Sequence, residues 1–158
     1  MQIPKKISNF LEKVKTKYEV VGHRTVYTAF DKAATLKVSE KMIGKTLVTR
    51  IDKRVALVMI PANKNLDILK LGKTAKTKKI SFIKEAWIKK NLKGVKIGAI
   101  PPFGNLWRVP TFVDKSLINL PKIILNSGDY NFSIKLKGAA LRKMIPDLII
   151  GNFTKVRK

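Results

Sequence analysis

The amino-acid sequence predicts an α+β fold: one domain built round a mixed, strongly curved β-sheet, with short helices beside it. Three observations predict it. Short β-branched runs outnumber helical patterns, the helical patterns fall between those runs, and no repeat or linker divides the 158 residues. A chain of this length buries a real core without disulfide or metal staples. Hydrophobic residues make up 45% of it, which marks a globule and not a disordered basic tail.

Residues 4–16 place Ile7, Phe10, Leu11 and Val14 at helical spacing, with Pro4 suited to the first turn. Tyr18 to Val21 reads as a strand. Thr28 followed by Asp31 resembles a capping box with Asp in place of Glu, and opens a helix through about Val38. Leu47–Ile51 and Val55–Ile60, separated by Asp52-Lys53-Arg54, read as a hairpin. Pro61 to Lys64 forms a turn and Leu66 to Leu71 a short helix. A strand near Lys79–Ser81 leads into a helix of about Phe82–Leu92, on which Phe82, Ile83, Ala86 and Trp87 share a face. Gly94 ends that helix, and the Pro101-Pro102 pair forces an extended loop. Strands follow at Val109–Val113, Ile123–Leu125 and Phe132–Leu136, the last two joined through Gly128-Asp129-Tyr130-Asn131. Ala139–Ile145 is a short helix stopped by Pro146, Leu148–Ile150 a last strand, and Lys155–Lys158 a frayed tail.

Charge speaks to partners. There are 34 basic against 10 acidic residues, a net of +24, and such an excess points to a polyanion. It is densest from Lys64 to Lys96, where 11 lysines face only Asp67 and Glu85, a net of +9 in 33 residues. Clustered lysines suit nucleic acid, because binding releases counterions. A membrane surface would want an apolar amphipathic face or a lipidation signal as well, and neither is visible. The absence of cysteine excludes cysteine nucleophiles, thiolate zinc sites and disulfides. The first 17 residues lack the apolar run of a signal peptide, and no stretch approaches 18 apolar residues. The expectation is a soluble, cytoplasmic protein.

Gly44-Lys45-Thr46 invites a phosphate-loop reading, but that motif needs a glycine five positions before Gly44, where Ser39 stands. By itself Lys45 is one solvated lysine among many. His23 is the only histidine, and one histidine without a carboxylate cluster builds no metal site. Gly98 lets backbone approach a ligand, and the two prolines after it reduce the ordering cost of the loop. Asn126-Ser127-Gly128-Asp129 reads as a hairpin turn. Nothing brings Asp114 and Asp129 together as an acid–base pair, and no GxSxG elbow is present.

Four segments taken together say more: His23-Arg24-Thr25-Val26-Tyr27-Thr28, Ile43-Gly44-Lys45-Thr46-Leu47-Val48, Gly98-Ala99-Ile100-Pro101-Pro102-Phe103-Gly104 and Asn126-Ser127-Gly128-Asp129-Tyr130. In this order and at these separations they resemble the YbaK/prolyl-tRNA-synthetase-associated family of aminoacyl-tRNA deacylases, from about Tyr18 to Phe153. The resemblance implies one editing domain over residues 1–158, with a barrel-like sheet, that hydrolyses the ester of mischarged tRNA without metal or cofactor. It makes Lys45 the principal functional residue, either polarising the ester carbonyl or anchoring the terminal phosphate. It implies a substrate pocket of His23, Tyr27, Thr28, Gly98, Ala99, Ile100, Pro101, Ser127, Gly128 and Asp129. Backbone groups around Gly98–Ile100 would orient the water or the terminal ribose. Lys76, Lys78, Lys79, Lys89, Lys90, Lys93 and Lys96 would grip the tRNA without reading sequence.

The implied partners are the aminoacylated 3′ end of tRNA and an aminoacyl-tRNA synthetase, with action in trans. The chain departs from the branch that edits alanine on proline tRNA, which carries asparagine after the lysine and a later histidine. Here Thr46 follows Lys45 and no histidine follows His23. Two other readings share the same surface: a non-catalytic RNA-binding module, and a partner or inhibitor of a synthetase. Lys45 with its Gly98 loop favours catalysis; the charge alone does not discriminate.

Overall fold

In the computed structural model, which describes residues 3–157, the chain opens with α1 (Lys5–Lys13), whose Ile7 and Leu11 are buried. Strand β1 (Glu19–Gly22) and helix α2 (Ala29–Leu36) follow. Thr28 caps α2, its Oγ1 accepting from the Asp31 N–H at 3.1 Å, and a left-handed Lys37 ends it. A single 3₁₀ turn (Glu40–Met42) leads into β2 (Gly44–Ile51) and β3 (Arg54–Pro61). Next come β4 (Lys64–Leu66), α3 (Ile68–Ala75), β5 (Ile80–Phe82) and α4 (Glu85–Asn91). The second half carries β6 (Thr111–Asp114), α5 (Lys115–Ile118), β7 (Ile123–Asn126), β8 (Phe132–Leu136), α6 (Leu141–Met144), β9 (Ile149–Gly151) and β10 (Thr154–Val156).

Five strands form the central sheet in the order β5-β2-β3-β6-β9. Pairing is antiparallel across β5-β2-β3 and parallel across β3-β6-β9. Strand β3 lies in the middle, and its Ala56-Leu57-Val58-Met59-Ile60 run is buried throughout, as a strand covered on both faces should be. The two-residue period sends Ala56, Val58 and Ile60 into one cluster with Leu71 and Phe153, while Leu57 and Met59 enter the clusters on the other side. A second, antiparallel sheet, β1-β8-β7, packs with α1, α5 and α6 around Phe103 and Leu117.

The two sheets meet at a single parallel bridge, Ile43 to Ile124. Closure into a barrel needs continuous ladders with a fixed stagger, and among the described residues no ladder closes them. The central sheet instead ends in two three-residue edges, β5 and β9, short enough to resist adding another strand.

Other differences are local. The hairpin turn is the two-residue Asp52-Lys53, with Ile51 opposite Arg54 and Asp52 at φ +56°, so β2 reaches back to Gly44 and carries Lys45 inside it. Phe82 closes β5, exposed, and α4 buries Ile88 with the following Leu92 instead. The expected frayed tail is β10, paired with β4, and Lys70 Nζ donates to Thr154 O at 2.7 Å. Arg157 beyond it pairs with Glu40 at 3.1 Å and donates to Ala62 O; Lys158 lies outside the described residues. Three-residue strands carry too few alternations for a periodicity to register.

Candidate functional site

A cleft of about 210 Å³ opens where the two sheets meet. Four separate stretches wall it: the capping loop and first turn of α2 (Val26, Tyr27, Thr28, Ala29, Lys32), the start of β2 (Gly44 to Leu47), the Gly98-Ala99 loop, and the end of β7 with its turn (Asn126, Asp129, Tyr130). The bridge from Ile43 to Ile124 sets β2 beside β7, and this juxtaposition brings residues some 80 positions apart to one wall. Gly44 has a packing reason to be glycine. A Cβ there would sit 2.6 Å from Met59 Sδ in the fully buried core. Gly44-Lys45-Thr46 therefore opens a strand against the core and does not cradle a phosphate before a helix.

Lys45 lines the cleft, and its side chain makes no hydrogen bond or ion pair with the described residues. Burial lowers its pKa below the ordinary lysine value, the Arg157 charge lowers it further, and Glu40 pulls the other way. In the same lining, Gly98 stands at φ +83° with open space where a Cβ would be. The Gly98 loop is tied to the β7–β8 turn at its flanks. Gly128 N–H donates to Ala99 O at 2.8 Å, Lys96 N–H to Gly128 O at 2.9 Å, and Tyr130 Oη to Ile97 O. Ala99 N–H is spent on Lys96 O. Gly98 itself keeps both backbone groups unpaired among the described residues.

Asp129 is the carboxylate of the cleft. Burial alone would raise its pKa, but the Asn131 N–H and the Lys96 ammonium at 3.0 Å outweigh that and hold it below the usual range. Lys96 also lies 5.3 Å from the Tyr130 ring centroid, and Tyr130 meets Tyr27 edge-on with centroids 4.8 Å apart. Tyr27 remains 66% exposed at the rim.

The sequence reading passed over Lys32 and gave Asn126 no role of its own within its segment. Lys32 is only 6% exposed, and its Nζ donates to Asn126 Oδ1 at 2.8 Å. Asn126 Nδ2 in turn donates to Ile100 O at 3.3 Å, so one chain of hydrogen bonds joins α2, β7 and the Gly98 loop. Desolvation pushes the Lys32 pKa down to about 8. The signal available in sequence was faint: position 32 falls one turn after the Thr28 cap, on the side of α2 that also buries Ala33.

Of the expected pocket residues, Tyr27, Thr28, Lys45, Gly98, Ala99 and Asp129 come together on the cleft; His23, Ile100, Pro101, Ser127 and Gly128 do not line it. His23 is held at both ring nitrogens, by Arg24 O at 2.8 Å and Ser133 Oγ at 2.9 Å. The carbonyl only accepts, so Nδ1 carries a proton. Ser127 is wholly buried, donating to Phe132 O at 2.6 Å and accepting from Asp129 N–H. Gly128, at φ +94°, packs on Val95 and Pro4. Ile100 and Pro101 belong to the interior. These five shape the walls from behind. Asp114 is buried, accepting from Ser116 and from the Phe153 N–H, and makes no pair with Asp129. Among the described residues no cluster of three or more His, Asp or Glu could hold a metal ion, and no helix is long and apolar enough to cross a membrane.

The seven lysines expected to meet RNA are all exposed, but they do not form one patch at the cleft. Lys96 borders it through Asp129. Lys89 and Lys90 end α4, with Lys93 just beyond. Lys76, Lys78 and Lys79 flank β5, which pairs only with the Thr49–Ile51 end of β2, roughly 20 Å along the strand from Lys45 at about 3.3 Å per residue.

Comparison with known proteins agrees with this architecture. Three solved structures superpose over nearly the whole chain. A hypothetical protein gives a TM-score of 0.86 at 20% identity, covering 96% of this chain and all of its own. A proposed trans-editing enzyme for prolyl-tRNA synthetase gives 0.84 at 18% identity, covering 96% of each. A scaffold used for computational epitope grafting gives 0.83 at 19% identity, covering 97% of each. At such identities these likenesses speak for the fold. The sequence itself matches the aminoacyl-tRNA editing domain over residues 23–144, a stretch that holds every wall of the cleft, and the chain belongs to that family.

Proposed function

We propose that the protein is a trans-acting aminoacyl-tRNA deacylase, hydrolysing the ester between a mischarged amino acid and the 3′ end of tRNA. The observation that carries this reading is the cleft itself. Its lining includes both the unpaired Lys45 side chain and the unpaired backbone of Gly98, inside the segment that matches the editing family. An aminoacyl ester is activated, so hydrolysis needs no covalent nucleophile from the protein. It needs a positioned water and support for the negative charge that builds on the carbonyl oxygen.

Lys45 supplies that charge support, or anchors the terminal phosphate; its ammonium has no internal partner competing for it. Gly98 offers one donor and one acceptor to the water or the terminal ribose. Asp129, held ionised, faces the cationic α-amino group. Water attacks the carbonyl carbon, the tetrahedral intermediate collapses, the 3′-oxygen of the ribose leaves and takes up a proton, and the free amino acid departs.

Deacylation of a panel of alanyl-, cysteinyl- and seryl-tRNAs tests this, with wild type compared to Lys45→Ala. We expect release by wild type and a loss of roughly 10²- to 10³-fold in the variant, the scale seen when one oxyanion-stabilising donor is removed, with tRNA binding retained. Bound tRNA with no hydrolysis across the panel would transfer the protein to the second reading, a basic RNA-binding module of the same fold.

A further inference from the structure

The floor and the mouth of the cleft differ in chemistry. Val26, Lys32 and Ala99 are 4%, 6% and 3% exposed, whereas Tyr27, Thr28 and Gly98 stand open to solvent. If tRNA is the ligand, as proposed above, its body stays outside and only its last group, the aminoacyl moiety, reaches the floor. There it meets Lys32.

The hydrogen bonding of Lys32 is incomplete. An ammonium has three donor positions and a neutral amine two, yet Nζ has one partner among the described residues, Asn126 Oδ1. Asn126 offers Nζ only its Oδ1, because its Nδ2 is a donor and is spent on Ile100 O. A second group in the lining is also unspent: Thr46 Oγ1 is buried and has no hydrogen-bond partner. Leaving buried polar groups unpaired is costly, and an apolar ligand would leave both so.

Charge decides which part of the aminoacyl group points where. Its α-amino group is cationic over much of the neutral range, so Lys32 and Lys45 repel it while Asp129, the one carboxylate of the lining, attracts it. That turns the amino-acid side chain towards Lys32. We propose that Lys32, together with Thr46, is a specificity-determining residue that selects a hydroxyl-bearing aminoacyl group, of the seryl or threonyl class, over apolar ones such as alanyl. A hydroxyl oxygen accepts from Nζ while its proton goes to Thr46 Oγ1. A thiol accepts poorly, so cysteinyl falls with alanyl.

The test charges one tRNA with serine, alanine or cysteine, so that only the aminoacyl group changes. It measures kcat/KM for wild type, Lys32→Met and Lys32→Gln, with thermal melting as the folding control. Wild type should favour seryl over alanyl by roughly 10- to 100-fold, the worth of a hydrogen bond to a charged group. Lys32→Met should collapse that ratio, and Lys32→Gln, which keeps a donor, should retain part of it. If Lys32→Met does not fold, Thr46→Val carries the same comparison. Binding of amide-linked seryl- and alanyl-adenosine to the wild type and the variants separates this inference from the deacylase reading. Preference for the seryl analogue that depends on Lys32, without any hydrolysis, removes the deacylase reading and keeps the selectivity. Hydrolysis of all three esters at equal rates does the reverse: Lys32 then only fastens α2 to β7. Binding of neither analogue sinks both.

Discussion

A buried lysine leaves a signature in stability that needs no substrate. The Lys32 pKa falls from 10.5 to about 8 in the folded protein, so between those values the unfolded chain binds more protons than the folded one. Stability therefore rises with pH across that window, and below about pH 8 the folded state carries the full cost of charging a desolvated amine, on the order of 3 kcal/mol for such a shift. Lys45 is lowered too and adds a slope of the same sign. We expect chemical denaturation to show wild type gaining stability from pH 8 to 10, and Lys32→Met to be flatter there and no less stable at pH 7. Equal slopes in the two proteins would mean that Lys32 keeps an ordinary pKa and is charged at neutral pH without cost. His23 gives the opposite kind of prediction. Its ring ties Arg24 O to the buried Ser133 hydroxyl and does not line the cleft. His23→Ala should cost about 1–3 kcal/mol through the unpaired hydroxyl while deacylation at saturating substrate stays within a few-fold of wild type. A collapse of turnover in a folded His23→Ala protein would return the histidine to the catalytic group.

At the scale of elements, the Gly98 loop joins fold to site. Its φ of +83° disfavours any other residue, by about 1–2 kcal/mol for an alanine, and a Cβ there meets nothing within 4 Å. Gly98→Ala should therefore fold with a modest loss of Tm, yet impair deacylation, because the new methyl group projects beside the unpaired backbone. Parity with wild type in kcat/KM would show that this backbone takes no part. Elements with a repeated pattern were legible in the sequence: Ile7 and Leu11 on α1, the Thr28 cap, the buried run of β3, and β8 to the residue. Those set by long-range pairing were not. Strands β4 and β10 exist because each completes the other, and Phe82 joins β5 because Thr49 lies opposite it. The site divides the same way. Lys45, Gly98 and Asp129 were visible through their resemblance to a family pattern. Lys32 was not, since only the packing of α2 against β7 makes one of 34 basic residues a buried one.

For the whole molecule the governing quantity is charge, +24 on 158 residues, and it bears on binding more than on chemistry. A tRNA held by lysine–phosphate contacts releases counterions, so log affinity should fall linearly with log salt, by about 0.7–0.9 per contact. The lysines occupy two regions. Lys89, Lys90 and Lys93 sit on and after α4, in the segment that runs into Lys96 and the cleft. Lys76, Lys78 and Lys79 lie at the far end of β2. A tRNA whose 3′ end enters the cleft meets the first region if its stem leaves past α4, and the second if the stem lies along the sheet. Reversing the first three to glutamate should weaken tRNA binding and flatten the salt slope by two to three contacts, on the order of 2 units. The same change in the second three then reads the direction of the stem: an equal loss places it along β2, and no loss places it away. Neither triple variant should alter single-turnover deacylation once tRNA saturates, because none of the six lysines lines the cleft. Affinity that does not weaken as salt is raised would remove tRNA from the account altogether, whatever the cleft hydrolyses.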